Sequence, residues 1–243
     1  MKLKLEELSA GFHGKKIIRD ISFSVDSGEL LVLAGPNGGG KTTLLKTIAG
    51  IVKPLSGRAL LDGRDCAVLK LRERARRISM LFQNSAPRWA FTVRETVEQG
   101  RFSRRPFLDA GNRGEDPAVK EAIRIAALEG FEERIVTELS GGEYQRILIA
   151  RSIAQGAEIL LMDEPVNNLD PKYQIMVMEL VKELCRRGKS AVLSLHDLRL
   201  ARRYADRICL IDRGSIAALG DAEEVLQGET FRRIFEVDTD WAF

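Results

Sequence analysis

The segment Gly35-Pro36-Asn37-Gly38-Gly39-Gly40-Lys41-Thr42 constrains the fold of this chain more than any other, because it fits the spacing G-x-x-x-x-G-K-[ST]. Its context matters as much as its letters. The apolar run Leu30-Leu31-Val32-Leu33-Ala34 precedes it and reads as a parallel strand buried on both faces. Lys41 to Ala49 follows with helical character. Glycines let successive backbone N–H groups turn inward on phosphates, and a helix N-terminus adds partial positive charge. Lys41 is placed to reach β- and γ-phosphates, and the Thr42 hydroxyl to ligate Mg²⁺. The loop by itself does not separate kinases, GTPases and ATPases.

Around this loop the pattern is that of an α/β protein. Lys2 to Leu8 and Ile21 to Val25 alternate apolar and polar residues, as strands do. Further strands are expected at Leu60-Leu61, Ile78 to Phe82, Ile159 to Met162 and Ala191 to Leu195, with a hairpin from Arg207 to Leu219. Thr92 and Glu95 form a capping box for a short helix, and Asp116-Pro117 opens one expected to run through Leu128. Residues 103–116 read as a loop, and residues from about 84 to 150 as a helical insertion. Asp170-Pro171 opens a long helix to about Arg187, and two short helices close the chain. Arg72 to Arg77 holds four arginines and reads as a solvated helix face. Strands alternating with helices, with polar groups at strand ends, imply a mostly parallel sheet with a crevice at its carboxyl edge.

Composition narrows the class. With 243 residues, 44% of them hydrophobic, the chain can bury a full core, which excludes disorder and small stapled scaffolds. A net charge of +3 gives no reason to expect a nucleic-acid partner, though it suits a mildly basic face near anionic lipid. Cys66, Cys185 and Cys209 are far apart and odd in number, so neither a metal spacing nor a disulfide framework follows. No apolar run approaches the roughly 18 residues of a membrane span. The first residues alternate and turn acidic with no signal-peptide core, so a soluble, intracellular protein is expected.

Two further segments carry chemistry. Ile159 to Met162 runs into Asp163-Glu164, which places two carboxylates just past a buried strand. Asp163 would hold Mg²⁺ directly or through water, and Glu164 would orient and polarise an attacking water. Leu139-Ser140-Gly141-Gly142-Glu143-Tyr144-Gln145-Arg146 opens an apolar-periodic helix. Ser140 and Glu143 form a capping box there, while the amides of Gly141 and Gly142, the Ser140 hydroxyl and the helix dipole also make an anion site. The two uses compete for the same donors, and this segment does not choose between them.

Leu139 to Arg146 resembles the signature motif of ATP-binding cassette (ABC) ATPases, with the phosphate loop and Asp163-Glu164-Pro165 flanking it in the family's order. The resemblance covers nearly the whole chain. It implies a P-loop NTPase core with a mostly parallel sheet, N-terminal antiparallel β strands and a helical insertion subdomain. It implies ATP and Mg²⁺ as ligands, with Gly35 to Thr43 cradling the nucleotide. Phe12 falls where the family stacks an aromatic on adenine, keeping the π face but lacking the usual tyrosine hydroxyl. Gln83 matches the glutamine that senses Mg²⁺, Asn168-Leu169-Asp170 the loop contacting the opposite subunit, and His196 the histidine on the γ-phosphate. Gly39 stands where serine is commoner, and Val166-Asn167-Asn168 replaces a threonine-rich stretch.

The resemblance also implies partners. In this family the signature of one chain completes the site of another, so two copies sandwich two ATP molecules. Integral membrane permease subunits bind the pair, and a substrate-binding protein acts with them indirectly. That would put the chain peripherally on the cytoplasmic face of the cell membrane. Trp89, Ala90 and Phe91 could form part of a groove for the permease, or equally be core. Thr92 to Arg101, Arg199 to Arg207 and Phe231 to Val237 resemble ATPases serving iron–siderophore, haem and vitamin B12 importers. An ATPase of another importer or an exporter, or a soluble cluster-assembly scaffold, remains as the alternative reading.

Overall fold

A computed structural model of the chain describes residues 3–82, 89–105 and 116–236. The N-terminal alternation is realised as an antiparallel pair, β1 (Leu3–Phe12) and β2 (Lys15–Val25), joined at His13-Gly14. Leu3, Leu5 and Leu8 of β1 face Ile18, Ile21 and Phe23 of β2 in one buried cluster. The second strand therefore begins earlier than its apolar alternation suggests, because pairing with β1 continues to the hairpin turn.

The next strand, β3 (Leu30–Ala34), leads through the glycine loop into α1 (Lys41–Ile48). After it come β4 (Ser56–Leu61), β5 (Arg64–Asp65), α2 (Leu71–Arg77) and β6 (Ile78–Leu81). β4 pairs with β1, so the first sheet has the order β2-β1-β4-β5. Then follow α3 (Val93–Glu98), a 3-10 stretch Gln99–Ser103, α4 (Pro117–Ile125), a second 3-10 stretch Val136–Glu138 and α5 (Gly141–Ala154). The remainder is β7 (Ile159–Asp163), α6 (Pro171–Arg186), β8 (Ser190–Ser194), α7 (Leu198–Tyr204), β9 (Arg207–Asp212), β10 (Ser215–Asp221), α8 (Ala222–Gln227) and α9 (Glu229–Phe235).

The second sheet has the order β10-β9-β3-β8-β7-β6, with β10 alone antiparallel to its neighbour. β3 explains why the run is apolar throughout. Leu31 and Leu33 pack toward α1 and the first sheet, whereas Leu30, Val32 and Ala34 pack toward the helices on the other face. Register then sets the site. Leu33 lies beside Ser194, and Ser194 beside Asp163, so β3, β8 and β7 end together at one carboxyl edge.

The helices between β6 and β7 share one apolar cluster, with Val93, Val97, Ala122, Ile123, Ile147 and Ala150 all buried in it. Thr92 and Asp116 cap α3 and α4 as their sequences predict. Helix α4, however, stops at Ile125 rather than continuing to Leu128. Ala127 is left-handed (φ 53), and the carbonyls of Ala126 and Ala127 accept from Arg146 Nη1 at 3.2 and 2.6 Å. A buried guanidinium on α5 thus takes the carbonyls that another helical turn would have used. Helix α2 also departs from expectation. Although it buries no residue, its arginines are engaged rather than merely solvated. Arg72 and Arg76 both donate to Ser103 O, Arg74 donates to Gly50 O and Cys66 O, and Arg77 pairs with Asp62. Most of the loop expected at 103–116 lies outside the described residues. Among the described residues no helix is long and apolar enough to cross a membrane.

Candidate functional site

The glycine loop is shaped by what lies behind it. Gly35 has φ 140, and a Cβ there would sit 2.0 Å from Ile211 O on β9. Only glycine lets the loop pass so close to that strand. At Gly39, where serine is the commoner residue, a Cβ would come within 3.0 Å of Pro36 O and 3.2 Å of Ile211 O. The turn between β9 and β10 completes the support, since Gly214 N donates to Gly39 O at 3.1 Å. Lys41, at the first position of α1, is buried, and its Nζ donates to Gly35 O at 2.7 Å and Pro36 O at 3.0 Å. Burial lowers its pKa, opposed by the charges of Glu164 and Asp163.

The strand ends bring the next groups together. Asp163 is 2% exposed and ends β7. Its Oδ1 accepts from Thr42 Oγ1 at 3.1 Å and from Ser194 Oγ at 2.7 Å. Ser194 Oγ in turn accepts from Glu164 N at 2.9 Å. That bond helps hold Glu164 in a left-handed backbone (φ 51), a conformation uncommon for any residue but glycine. The Glu164 side chain is held on both oxygens. Oε1 lies 2.6 Å from His196 Nε2, and Oε2 accepts from Asn167 Nδ2 at 2.8 Å. An ionised carboxylate only accepts, so the imidazole presents an N–H toward it.

This donor set suits a hard dication. Asp163 is a buried carboxylate whose partners are hydroxyls, and no Lys or Arg forms an ion pair with it among the described residues. A buried carboxylate with no direct ion-pair partner is costly, and oxygen ligands of this kind are those magnesium prefers.

Other expected groups stand apart. Phe12 ends β1 with 46% of its surface exposed. Ser140, Gly141 and Gly142 begin α5 and make no hydrogen bond to the glycine loop among the described residues. In this single chain the capping use of Ser140 is the one realised. Ser140 N donates to Glu143 Oε2 at 2.9 Å, Ser140 Oγ donates to it at 2.7 Å, and Glu143 N donates to Ser140 Oγ at 3.3 Å. The bond from the Ser140 hydroxyl, helped by the one from its backbone N–H, holds the Glu143 carboxyl below the usual range. Gln83 lies outside the described residues.

Residues 18–167 match the family described as ABC transporter. The chain belongs to the ABC transporter family. It is 37% identical to the petrobactin import ATP-binding protein FpuC of Bacillus anthracis, over 92% of this chain and 82% of that protein. It is likewise 37% identical to the hemin import ATP-binding protein HmuV of Rhodopseudomonas palustris, over 97% of this chain and 88% of that one. Among solved structures, the dimeric bacterial ABC transporter cassette MJ0796 superposes with a TM-score of 0.78 at 29% identity, covering 90% of this chain and 98% of that one.

This ABC ATPase therefore binds nucleotide and hydrolyses it. Sequence reasoning missed two polar groups around Glu164. Ser194 carries no motif, and its place follows only from the register that sets it beside Asp163. Asn167 stood out in sequence only as a departure from the family pattern, yet its amide reaches Glu164.

Proposed function

We propose that two copies of this chain clamp two ATP molecules and drive import of a metal chelate through a membrane permease. The observation carrying the catalytic part is the convergence of Lys41, Thr42, Asp163, Glu164 and His196 on one sheet edge. Nucleotide would replace the Gly35 and Pro36 carbonyls as the partner of Lys41, with the amides of the loop and Thr43 on the same phosphates. Thr42 and Asp163 would hold a magnesium ion, with Gln83 assigned to it on sequence alone; bound there, it neutralises charge on the transferring phosphoryl group. Glu164 accepts a proton from the water that attacks the γ-phosphorus, as the bond to the ADP oxygen breaks. His196 steadies Glu164 and faces the γ-phosphate. Ser140, Gly141 and Gly142 of the second copy would complete the donor set, and Phe12 would stack on the base.

The chelate reading rests on relatives named for petrobactin and hemin import. A permease-facing surface is supported by large apolar side chains left exposed near the helical insertion. Val68, Leu71, Trp89 and Phe102 are each more than 70% exposed. Phe102 adjoins α2, because Arg72 and Arg76 both hold the next carbonyl, that of Ser103. Residues 1–243 would form one ABC ATPase domain with its helical insertion at about 84–150. Two measurements test this reading. The chain should release phosphate from Mg-ATP, and it should co-purify with a multi-span permease encoded nearby. Phosphate release without any permease in the complex would overturn the transport part.

A further inference from the structure

The two signature glycines are not equivalent. Gly141 is exposed, but Gly142 is buried. The side chain covering Gly142 is Tyr173, since a Cβ at Gly142 would lie 2.5 Å from Tyr173 Cγ and 2.8 and 2.9 Å from its two Cδ atoms. The ring therefore lies flat against the Cα of the second residue of α5. A lesser contact repeats the pattern at the first residue, where a Cβ on Gly141 would be 3.9 Å from Leu169 Cδ2.

Tyr173 is firmly placed for this. It lies on the first turn of α6, and its N–H and that of Gln174 donate to Asp170 O at 2.9 and 3.0 Å. Behind it the chain returns to the catalytic carboxylate. Leu169 N and Gln174 Nε2 donate to Val166 O, and Asn167 N donates to Glu164 O. The ring covers the side of α5, whereas the Gly141 and Gly142 amides, the first of the helix, have no intrahelical acceptor and point along its axis.

We propose that Tyr173 is a positioning residue that seats the Gly141–Gly142 amides against the Asn168–Asp170 loop, so that a second copy meets signature and loop as one preassembled surface. The proposal rests on the two-copy clamp proposed above. Preassembly means that the ordering of these amides is not left to the moment of association.

The test uses Glu164→Gln as parent, so that ATP is bound but not consumed. Sedimentation in Mg-ATP reads the dimer, and a fluorescent ATP analogue reads nucleotide on the single chain. Tyr173→Ala should weaken the dimer about ten-fold or more while leaving single-chain nucleotide affinity within about two-fold. Tyr173→Phe should restore the dimer, because the hydroxyl makes no hydrogen bond among the described residues. If Tyr173→Ala is too unstable to assay, Tyr173→Leu carries the same test, with a smaller loss expected because a branched chain covers less of the helix side. A dimer of unchanged strength in the truncated variant overturns the proposal. So does an equal loss of single-chain nucleotide affinity, which would assign Tyr173 to the fold of the nucleotide site. Failure of the parent itself to dimerise with ATP overturns the two-copy clamp.

Discussion

His196 Nε2 and Glu164 Oε1 lie 2.6 Å apart across the ends of two adjacent strands, and Asn167 holds the other carboxylate oxygen. The carboxylate is thus oriented before any ligand arrives. It sits on a left-handed residue whose N–H is bonded to Ser194, so its backbone is held as well as its tip. A proton acceptor fixed in this way needs little rearrangement at the moment of reaction.

Glu164→Gln keeps the shape and the acceptor for His196 but removes the base. Turnover should fall by about 10² or more, the usual worth of a general base, while nucleotide affinity stays within about three-fold. Phosphate release and calorimetry check this together. Turnover at the parental rate would remove Glu164 from the reaction.

Asn167→Asp places a second carboxylate at hydrogen-bond distance from Glu164. That replaces the amide donor on Oε2 with a repelling charge, so the carboxylate loses one of the two contacts that orient it. Turnover should fall by about ten-fold, while nucleotide affinity stays within about three-fold. Phosphate release at saturating Mg-ATP, with calorimetry for binding, reads it. Turnover at the parental rate means that Asn167 does not touch the working carboxylate.

Burial lowers the pKa of Lys41 from the ordinary 10.5, which means that in the free chain its ammonium gives up a proton more readily. A triphosphate would reverse this, since anionic oxygens favour the charged amine. Nucleotide binding on the alkaline side should therefore take up protons, seen as a dependence of calorimetric heat on buffer ionisation enthalpy. Lys41→Ala should abolish the uptake and weaken nucleotide binding by about 10² or more.

The three cysteines are buried and free, and burial pushes the thiol of Cys66 up to about 11 and those of Cys185 and Cys209 up to about 12. A thiol-specific reagent at neutral pH should label them only as fast as the chain unfolds. The linkage has a definite sign. The folded state keeps these protons above pH 9, where the unfolded thiols have begun to lose them. Stability present below pH 9 should therefore be lost as pH rises toward about 11 to 12. Denaturant midpoints measured across that range check it, and a midpoint independent of pH would contradict the burial of the thiols.

What was readable without coordinates had local causes. The glycine loop is recognisable because phosphate binding needs amides at fixed chain offsets. The Thr92–Glu95 and Ser140–Glu143 caps are recognisable because each closes within three residues. The all-apolar β3 could be read as a two-faced strand because each of its faces meets its own cluster.

Contacts between distant segments had no such signal. Amino-acid sequence alone determined the chemistry carried at each strand end: a lysine, a threonine, two carboxylates and a histidine at set positions. Which of those ends stand side by side was decided by the strand order β3-β8-β7, in which β3 lies beside β8, a strand far along the chain. Ser194 on Asp163, Tyr173 on Gly142 and Arg146 at the end of α4 all follow from packing of that kind. Each joins residues 19 to 31 positions apart, beyond the reach of turn or helix periodicity, so only the folded arrangement brings them together.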